Sequence, residues 1–181
     1  MAPIFWFMRE TGCRRAEAIS LRLHHVDFAV QEVVFHTFTK SGKSHRVPLT
    51  DKALWAVQAL PKHGPTVFYH PSYLETFTGD GLALFWEAAR EGVECDDENL
   101  KEKLVSLRMH DLRHANAIKL AEEGTPMHFI SEVLDHHSSE FTRQRYARFS
   151  PGSASRAVLR VLQGRKAEPR QALARSWHSQ G

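Results

Sequence analysis

The sequence predicts a mainly α-helical domain with one small antiparallel β-sheet, an α+β fold. Apolar residues recur at helical spacing near the start of the chain and through most of its second half. Residues 26–38 are instead rich in β-branched and aromatic residues, which favour strands. Ser41 and Gly42 then form a turn, and the apolar alternation resumes at Val47. This stretch therefore predicts a β-hairpin set among helices.

The composition indicates one compact soluble domain. The chain has 181 residues, of which 42% are hydrophobic and 25% charged. Its net charge of +3 favours an anionic partner. The two cysteines, Cys13 and Cys95, do not form a C-x-x-C motif, which argues against a disulfide framework and for an intracellular protein. No segment approaches the roughly 20 apolar residues of a membrane span, so we expect a cytoplasmic protein that does not bind membranes.

Two helices are expected before the hairpin. The apolar stretch Ile4 to Met8 has no N-cap residue before it, and a domain seldom begins inside its own hydrophobic helix. We therefore expect that the natural protein extends further upstream or has lost a segment there. The buried residues predicted for the second helix are Ala16, Ile19, Leu21 and Leu23.

Helices dominate the chain after the hairpin. Asp51 is expected to cap a helix that runs to about Leu60, and another is expected over residues 79–90. A third is predicted at 112–123, because Leu112, Ala115, Ile118 and Ala121 have helical spacing; Gly124 ends it. Further helices are expected at 127–134, 141–149 and 153–162. A polar, basic tail, expected to be mobile, occupies 164–181.

Four polar clusters stand out in this helical background, and each has a purely structural explanation. T-G-C-R-R-A-E contains Arg14, Arg15 and Glu17, which suit a surface ion pair. The hairpin tip, with Lys40 and Lys43, suits a solvated basic turn. H-D-L-R-H places His110 and His114 on one helical face, but zinc motifs of the H-E-x-x-H type need glutamate where this chain has Asp111. L-D-H-H-S-S-E-F-T-R-Q-R-Y suits an amphipathic helix with a half-buried tyrosine.

Taken together, the same residues suit chemistry on a phosphodiester. Guanidinium groups match the non-bridging phosphate oxygens in shape and stay charged at any working pH. Cations also lower the cost of forming a tyrosine phenolate, the attacking nucleophile. A lysine whose pKa is lowered by neighbouring cations can protonate the leaving alkoxide. The clusters therefore indicate phosphoryl transfer by positioning and electrostatics, without a metal.

The chain closely resembles the catalytic domain of the tyrosine recombinases, also called phage-type integrases. T-G-x-R-R-x-E followed by L-R-L matches their first arginine box, and T-K-S-G-K-S-H-R-V-P-L matches their lysine hairpin. H-D-L-R-H-A matches the second box, and L-D-H-H-S-S with R-Q-R-Y-A-R matches the third box and the nucleophile. The match runs from about Phe5 to Leu162 in the family's order and spacing. It implies the family's catalytic-domain fold over residues 1–163.

The resemblance also implies a role for each matching residue. Tyr146 would attack the scissile phosphate, leaving a 3′-phosphotyrosyl link and a 5′-hydroxyl. Arg14 and Arg113 would clamp the phosphate oxygens, and Lys40 would protonate the leaving oxygen. Proton transfer and phosphate binding would fall to His110 and His136, with Glu17 as a supporting acid and His137 as the alternative to His136. No metal or cofactor is implied, and the further DNA-contacting residues expected are Arg15, Lys43, Arg46 and Arg143.

Two departures from the family pattern bear on function. The third box usually reads L-G-H, whereas here Asp135 stands in the glycine position and brings a carboxylate close to the phosphate site. The family's N-terminal, DNA-clamping domain is not matched, so we expect a fragment or a truncated mobile-element product. The expected partners are double-stranded DNA and other recombinase protomers, in a tetrameric synapse. The alternatives are a truncated, inactive DNA-binding remnant, a type IB topoisomerase and a zinc-binding helical module.

Overall fold

The computed structural model describes residues 2–36, 44–136 and 138–151. Within them it confirms a mainly helical fold with one small antiparallel sheet. The strands are β1 (Val26–Asp27), β2 (Glu32–His36) and β3 (Ser44–Pro48). The helices are α1 (Pro3–Thr11), α2 (Arg15–Ser20), α3 (Asp51–Gln58), α4 (Gly79–Glu91), α5 (Glu98–Ser106), α6 (Met109–Glu122), α7 (Met127–Val133) and α8 (Ser139–Tyr146).

The described residues fall into two compact units. The first contains residues up to 117 together with 132–135, and the second contains 118–131 together with those from 136 onward. The predicted helix at 153–162 and the basic tail lie outside the described residues. None of the helices within 2–36, 44–136 and 138–151 has the length and apolar character needed to cross a membrane.

The sheet and α1 share the hydrophobic core of the first unit. The strand order is β1-β2-β3, and Val33 on β2 pairs with Val26 on one side and Val47 on the other. All three valines are buried because strand alternation directs them to one face. Phe7 of α1 is fully buried, with its ring centroid 6.2 Å from that of Phe35. This packing fixes the end of α1, where the first predicted arginine box begins.

Several local predictions were wrong. In α2 the buried residues are Glu17 and Ala18, while Ala16 is exposed, because the helix begins at Arg15 with Glu17 directed inward. In α6, Leu112 and Ala121 are buried as predicted, but Ala115 is exposed, and Asn116 and Ala117 are buried instead. The apolar pattern did not predict Asn116 because this residue is polar, and its buried Nδ2 group donates to a backbone carbonyl.

The cap of α3 was also misplaced by one residue. The Thr50 hydroxyl, not the Asp51 carboxylate, accepts the hydrogen bond from the Ala53 N–H, at 3.2 Å. Asp51 is the first helical residue, where its negative charge favours the helix N-terminus without capping it. The helix ends at Gln58, before the predicted Leu60.

Candidate active site

Arg14 lies at the junction between α1 and α2. Gly12 ends α1 in the left-handed conformation with φ +67°, and its N–H donates to the Met8 carbonyl at 2.9 Å. Arg14 then precedes the first turn of α2, and its backbone N–H donates to Glu17 Oε2 at 2.6 Å. Glu17 has 6% of its surface exposed. A buried carboxylate therefore fixes the backbone of Arg14, and the supporting role of Glu17 stays a prediction.

The Arg14 guanidinium has three hydrogen-bond acceptors among the described residues. Nη1 donates to Glu17 Oε1 at 3.1 Å and to Asp135 Oδ2 at 2.7 Å, while Nη2 donates to the Asp135 carbonyl at 2.6 Å. Burial lowers the pKa of Arg14, but the hydrogen bond to Asp135 and the charge of Glu17 outweigh it and raise this pKa above its ordinary value. The side chain is 35% exposed, so this permanent cation can still be reached from solvent.

Arg113 joins the same two chain segments from α6. Nη1 donates to the Gly12 carbonyl at 2.7 Å, and Nη2 donates to the Leu134 carbonyl. These carbonyls lie next to the segments that carry Arg14 and Asp135. Arg113 has 4% of its surface exposed, so its guanidinium is held rigidly. The structure therefore brings the two arginine boxes together, while their action on a phosphate remains a prediction.

Asn116 completes this junction one turn later in α6. Its Nδ2 donates to the Glu10 carbonyl at 2.8 Å, near the end of α1. A Cβ placed on Gly12 would lie 2.9 Å from Asn116 Oδ1 and 2.6 Å from Leu134 Cδ2. Glycine is thus required at position 12 both by its φ angle and by the close approach of α6 and the segment before Asp135.

His45 of β3 also belongs to this cluster, although the sequence did not predict it as a site residue. Both ring nitrogens are buried, and neither has a hydrogen-bond partner within the described part of the chain. Burial lowers the pKa of His45, as do Arg14 and Arg113, whereas Glu17 and Asp135 oppose the shift. The available signal was strand alternation, because His45 lies two residues before the buried Val47.

Three of these residues offer ligand atoms that a metal could use. Glu17, His45 and Asp135 each offer one such atom, and the three atoms lie within 4.8 Å of one another. The Arg14 guanidinium, however, donates to both carboxylates. A positive charge thus already satisfies the acidic pair, and a cation would have to displace it.

The start of α6 carries the second box. His110 and His114 lie on one face, as predicted, with ring centroids 4.5 Å apart in an edge-to-face arrangement. Asp111 instead caps the helix, since its Oδ2 accepts the Arg108 N–H at 2.8 Å. Burial tends to raise the pKa of Asp111, but the hydrogen bonds from Arg108 lower it more, leaving it below its usual value. Asp111 thus has a structural role in the H-D-L-R-H motif.

His136 and Tyr146 lie together in the second unit. His136 Nδ1 is 2.7 Å from the Thr142 hydroxyl of α8. The rings of His136 and Tyr146 are nearly parallel, at 11°, with centroids 6.5 Å apart. Tyr146 ends α8 and is 2% exposed, which is deeper than the half-buried position considered from the sequence. His136, the predicted third-box histidine, therefore lies beside the predicted nucleophile Tyr146, and α8 contacts or carries both.

The other predicted site residues lie at the surface or outside the described residues. Arg15, Arg46 and Arg143 are exposed, as expected of residues that contact DNA. Arg143 pairs with Glu140 at 2.8 Å and Arg46 with Glu32 at 3.3 Å, on the surface. Lys40, Lys43 and His137 lie outside the described residues. All of the assigned roles therefore stay predictions.

The chain is similar to known proteins of one family. The model of the phage integrase family matches residues 2–152. Tyrosine recombinase XerD of Lacticaseibacillus casei is 28% identical over 159 residues, which cover 81% of this chain and 50% of that relative. Tyrosine recombinase XerC of Oceanobacillus iheyensis is 27% identical over 141 residues, covering 74% of this chain and 44% of that relative. The chain thus spans about half the length of the curated relatives it matches.

Solved structures show the same fold. The catalytic domain of bacteriophage HP1 integrase superposes with a TM-score of 0.54 at 26% identity, covering 86% of this chain and 79% of that one. The Tn1549 transposon integrase, in complex with transposon right end DNA, gives a TM-score of 0.69 at 15% identity, covering 89% of this chain and 57% of that one. Because the family model matches most of this chain, the chain belongs to the phage integrase family.

Proposed function

We propose that the chain is the catalytic part of a site-specific DNA recombinase, which cleaves and rejoins DNA through a 3′-phosphotyrosyl intermediate. The observation that carries this proposal is the joint anchoring of the two arginine boxes. Arg113 binds the carbonyls of Gly12 and Leu134, and Arg14 binds the Asp135 carbonyl. Two guanidinium groups that are held by neighbouring chain segments suit an anion with several oxygens, such as a phosphodiester.

In the proposed reaction the Tyr146 oxygen forms a bond to phosphorus while the bond to the 5′-oxygen breaks. Lys40 donates the proton that the departing 5′-oxygen needs, and Arg14 and Arg113 stabilise the charge that builds on the non-bridging oxygens. Glu17 positions Arg14 through its backbone N–H and its guanidinium. His110 assists proton transfer, and His136 (or His137) binds the phosphate. Attack by another 5′-hydroxyl reverses the steps, so that joining needs no external energy source.

The proposed partners follow from this chemistry. The substrate is double-stranded DNA, with Arg15, Lys43, Arg46 and Arg143 contributing sequence-independent phosphate contacts. Strand exchange between two DNA sites needs further protomers, for which we propose a tetrameric synapse. The catalytic domain is assigned to residues 1–163, and the protein is placed in the cytoplasm, where its DNA substrate is accessible. The rival function is a DNA-binding remnant that no longer catalyses.

The test is a covalent trap that requires no knowledge of the target site. A pool of nicked duplexes with a randomised centre is incubated with the full chain, and DNA that stays bound to protein in detergent is recovered and amplified over several rounds. Cleavage next to the nick releases a short strand, so the covalent product accumulates. We expect enrichment of a defined sequence with the wild type.

Two variants make the test specific. Tyr146→Phe should abolish the covalent product because it removes the attacking oxygen. Tyr73→Phe is the matched control, since Tyr73 is 72% exposed and outside the predicted site; it should leave the product unchanged. Recovery of DNA by native filter binding without any detergent-stable product would support the rival function and overturn the enzyme proposal.

A further inference from the structure

We propose that the Asp135 carboxylate occupies the anion position of Arg14, and that the scissile phosphate must displace it to be bound. Asp135 would then set the affinity of the site for phosphate and hold the site closed in the absence of DNA. This inference rests on the proposed function, because it concerns the same arginine clamp.

The contacts of Arg14 resemble those of a bound oxyanion. Asp135 Oδ2 accepts from Nη1 at 2.7 Å, and the Asp135 carbonyl accepts from Nη2 at 2.6 Å. One residue therefore presents two oxygens to the two ends of the guanidinium fork, as a carboxylate or phosphate does in a bidentate complex. A phosphate oxygen that approaches Arg14 at Nη1 meets a negatively charged competitor.

Exposure separates this competitor from the permanent partner of Arg14. The Glu17 side chain is 5% exposed and also binds the Arg14 backbone N–H at 2.6 Å. The Asp135 and Arg14 side chains are 31% and 35% exposed. A partly exposed ion pair contributes little stability, since solvent screens it. Asp135 can therefore be exchanged for another anion, while Glu17 stays in place.

The backbone does not require a carboxylate at this position. Asp135 adopts a left-handed conformation with φ +46°. Glycine takes this conformation without strain, and asparagine and aspartate tolerate it better than other residues. The carboxylate is thus an addition to what the chain conformation needs, and asparagine can replace it with the same shape and a similar backbone preference.

The charge balance of the cluster also indicates that Asp135 and a phosphate compete for Arg14. Among the described residues, the charged groups that act on His45 are two guanidiniums, Arg14 and Arg113, and two carboxylates, Glu17 and Asp135. The formal charges of these four groups sum to zero. Once Asp135 turns outward, a phosphodiester takes its place and neutrality is restored. With the Asp135 carboxylate and a phosphodiester both present, these groups together carry one excess negative charge, which disfavours phosphate binding.

Phosphate affinity can be measured apart from DNA cleavage. The side-chain ¹⁵N signals of arginine are recorded during titration with inorganic phosphate, and the Arg14 signal is identified as the one missing in Arg14→Lys. In Asp135→Asn we expect phosphate to shift this signal at a concentration about tenfold lower than in the wild type, because a charge-assisted competitor has been removed. Asp135→Gly should behave in the same way and guards against an effect specific to asparagine.

Glu132→Gln is the matched control. Glu132 is exposed on the same segment, and its substitution changes the net charge by the same amount. It should leave the phosphate titration unchanged. Equal phosphate affinities in wild type and both Asp135 variants, or an equal gain in Glu132→Gln, would overturn the inference.

The covalent trap then separates this inference from the proposed function. If both hold, Asp135→Asn forms the phosphotyrosyl product at a lower DNA concentration than the wild type. A gain in phosphate affinity with no covalent product in any variant would support the inference and contradict the recombinase proposal. A covalent product with phosphate affinity unaltered in the Asp135 variants would contradict the inference alone.

Discussion

Replacing Gly12 with alanine should destabilise the protein by about 2–5 kcal/mol. The left-handed conformation at φ +67° costs a non-glycine residue about 1–2 kcal/mol. The new Cβ would also lie 2.6 Å from Leu134 Cδ2 and 2.9 Å from Asn116 Oδ1. Both neighbours are buried, with 0% and 6% exposure, so they have little room to move. Overpacking of this kind adds about 1–3 kcal/mol.

Gly64→Ala provides the matched control. Gly64 has nearly the same φ, +69°, but a Cβ there would meet nothing within 4 Å. It should therefore show the conformational cost alone, about 1–2 kcal/mol. Urea unfolding of the three proteins, followed by circular dichroism, gives both differences in the free energy of unfolding. A Gly12→Ala variant no less stable than Gly64→Ala would refute the packing argument and, with it, the close junction on which Arg113 is anchored.

Three further predictions concern other parts of the described chain. Thr50→Ala should lower the free energy of unfolding by about 1 kcal/mol through loss of the α3 cap, whereas Asp51→Ala should cost clearly less; urea unfolding compares them. Burial raises the pKa of the Cys13 thiol to about 12, so iodoacetamide should label Cys95 in the folded protein, and mass spectrometry would show Cys13 labelled only after unfolding. Because the pKa of Asp111 is lowered in the folded state, its stabilising contribution is complete above its unfolded pKa of about 4 and is lost as the pH falls through its folded pKa. Thermal melts should therefore show that Asp111→Asn loses less stability than the wild type between pH 5 and pH 2.

Much of the fold and the proximity of Arg14 to Arg113 could be predicted because the signals are local or carried by a motif. The strand residues of the hairpin were recognised from composition and alternation, which depend on the short repeat of a β-strand. The spacing of the boxes placed Arg14 and Arg113 in one site, and the structure anchors them on shared segments. These features follow from residue types within a short window or from a family pattern with a fixed order.

What the sequence did not predict depends on contacts between distant segments. The inward direction of Glu17 results from its bonds to Arg14, and the burial of His45 results from the packing of the sheet. Asp135 was expected near the phosphate site, but its double contact with Arg14 needs the left-handed turn that brings its carbonyl and carboxylate to one side. Such contacts are decided by tertiary structure, on which a local pattern carries little information.

The most direct test of the recombinase proposal is the identity of the amino acid that becomes linked to DNA. The trapped product is digested with nuclease and trypsin, and the nucleotide-bearing peptide is sequenced by tandem mass spectrometry. We predict a nucleotide joined through its 3′-phosphate to Tyr146. A nucleotide on any other residue, or one joined through a 5′-phosphate, would contradict the proposed chemistry.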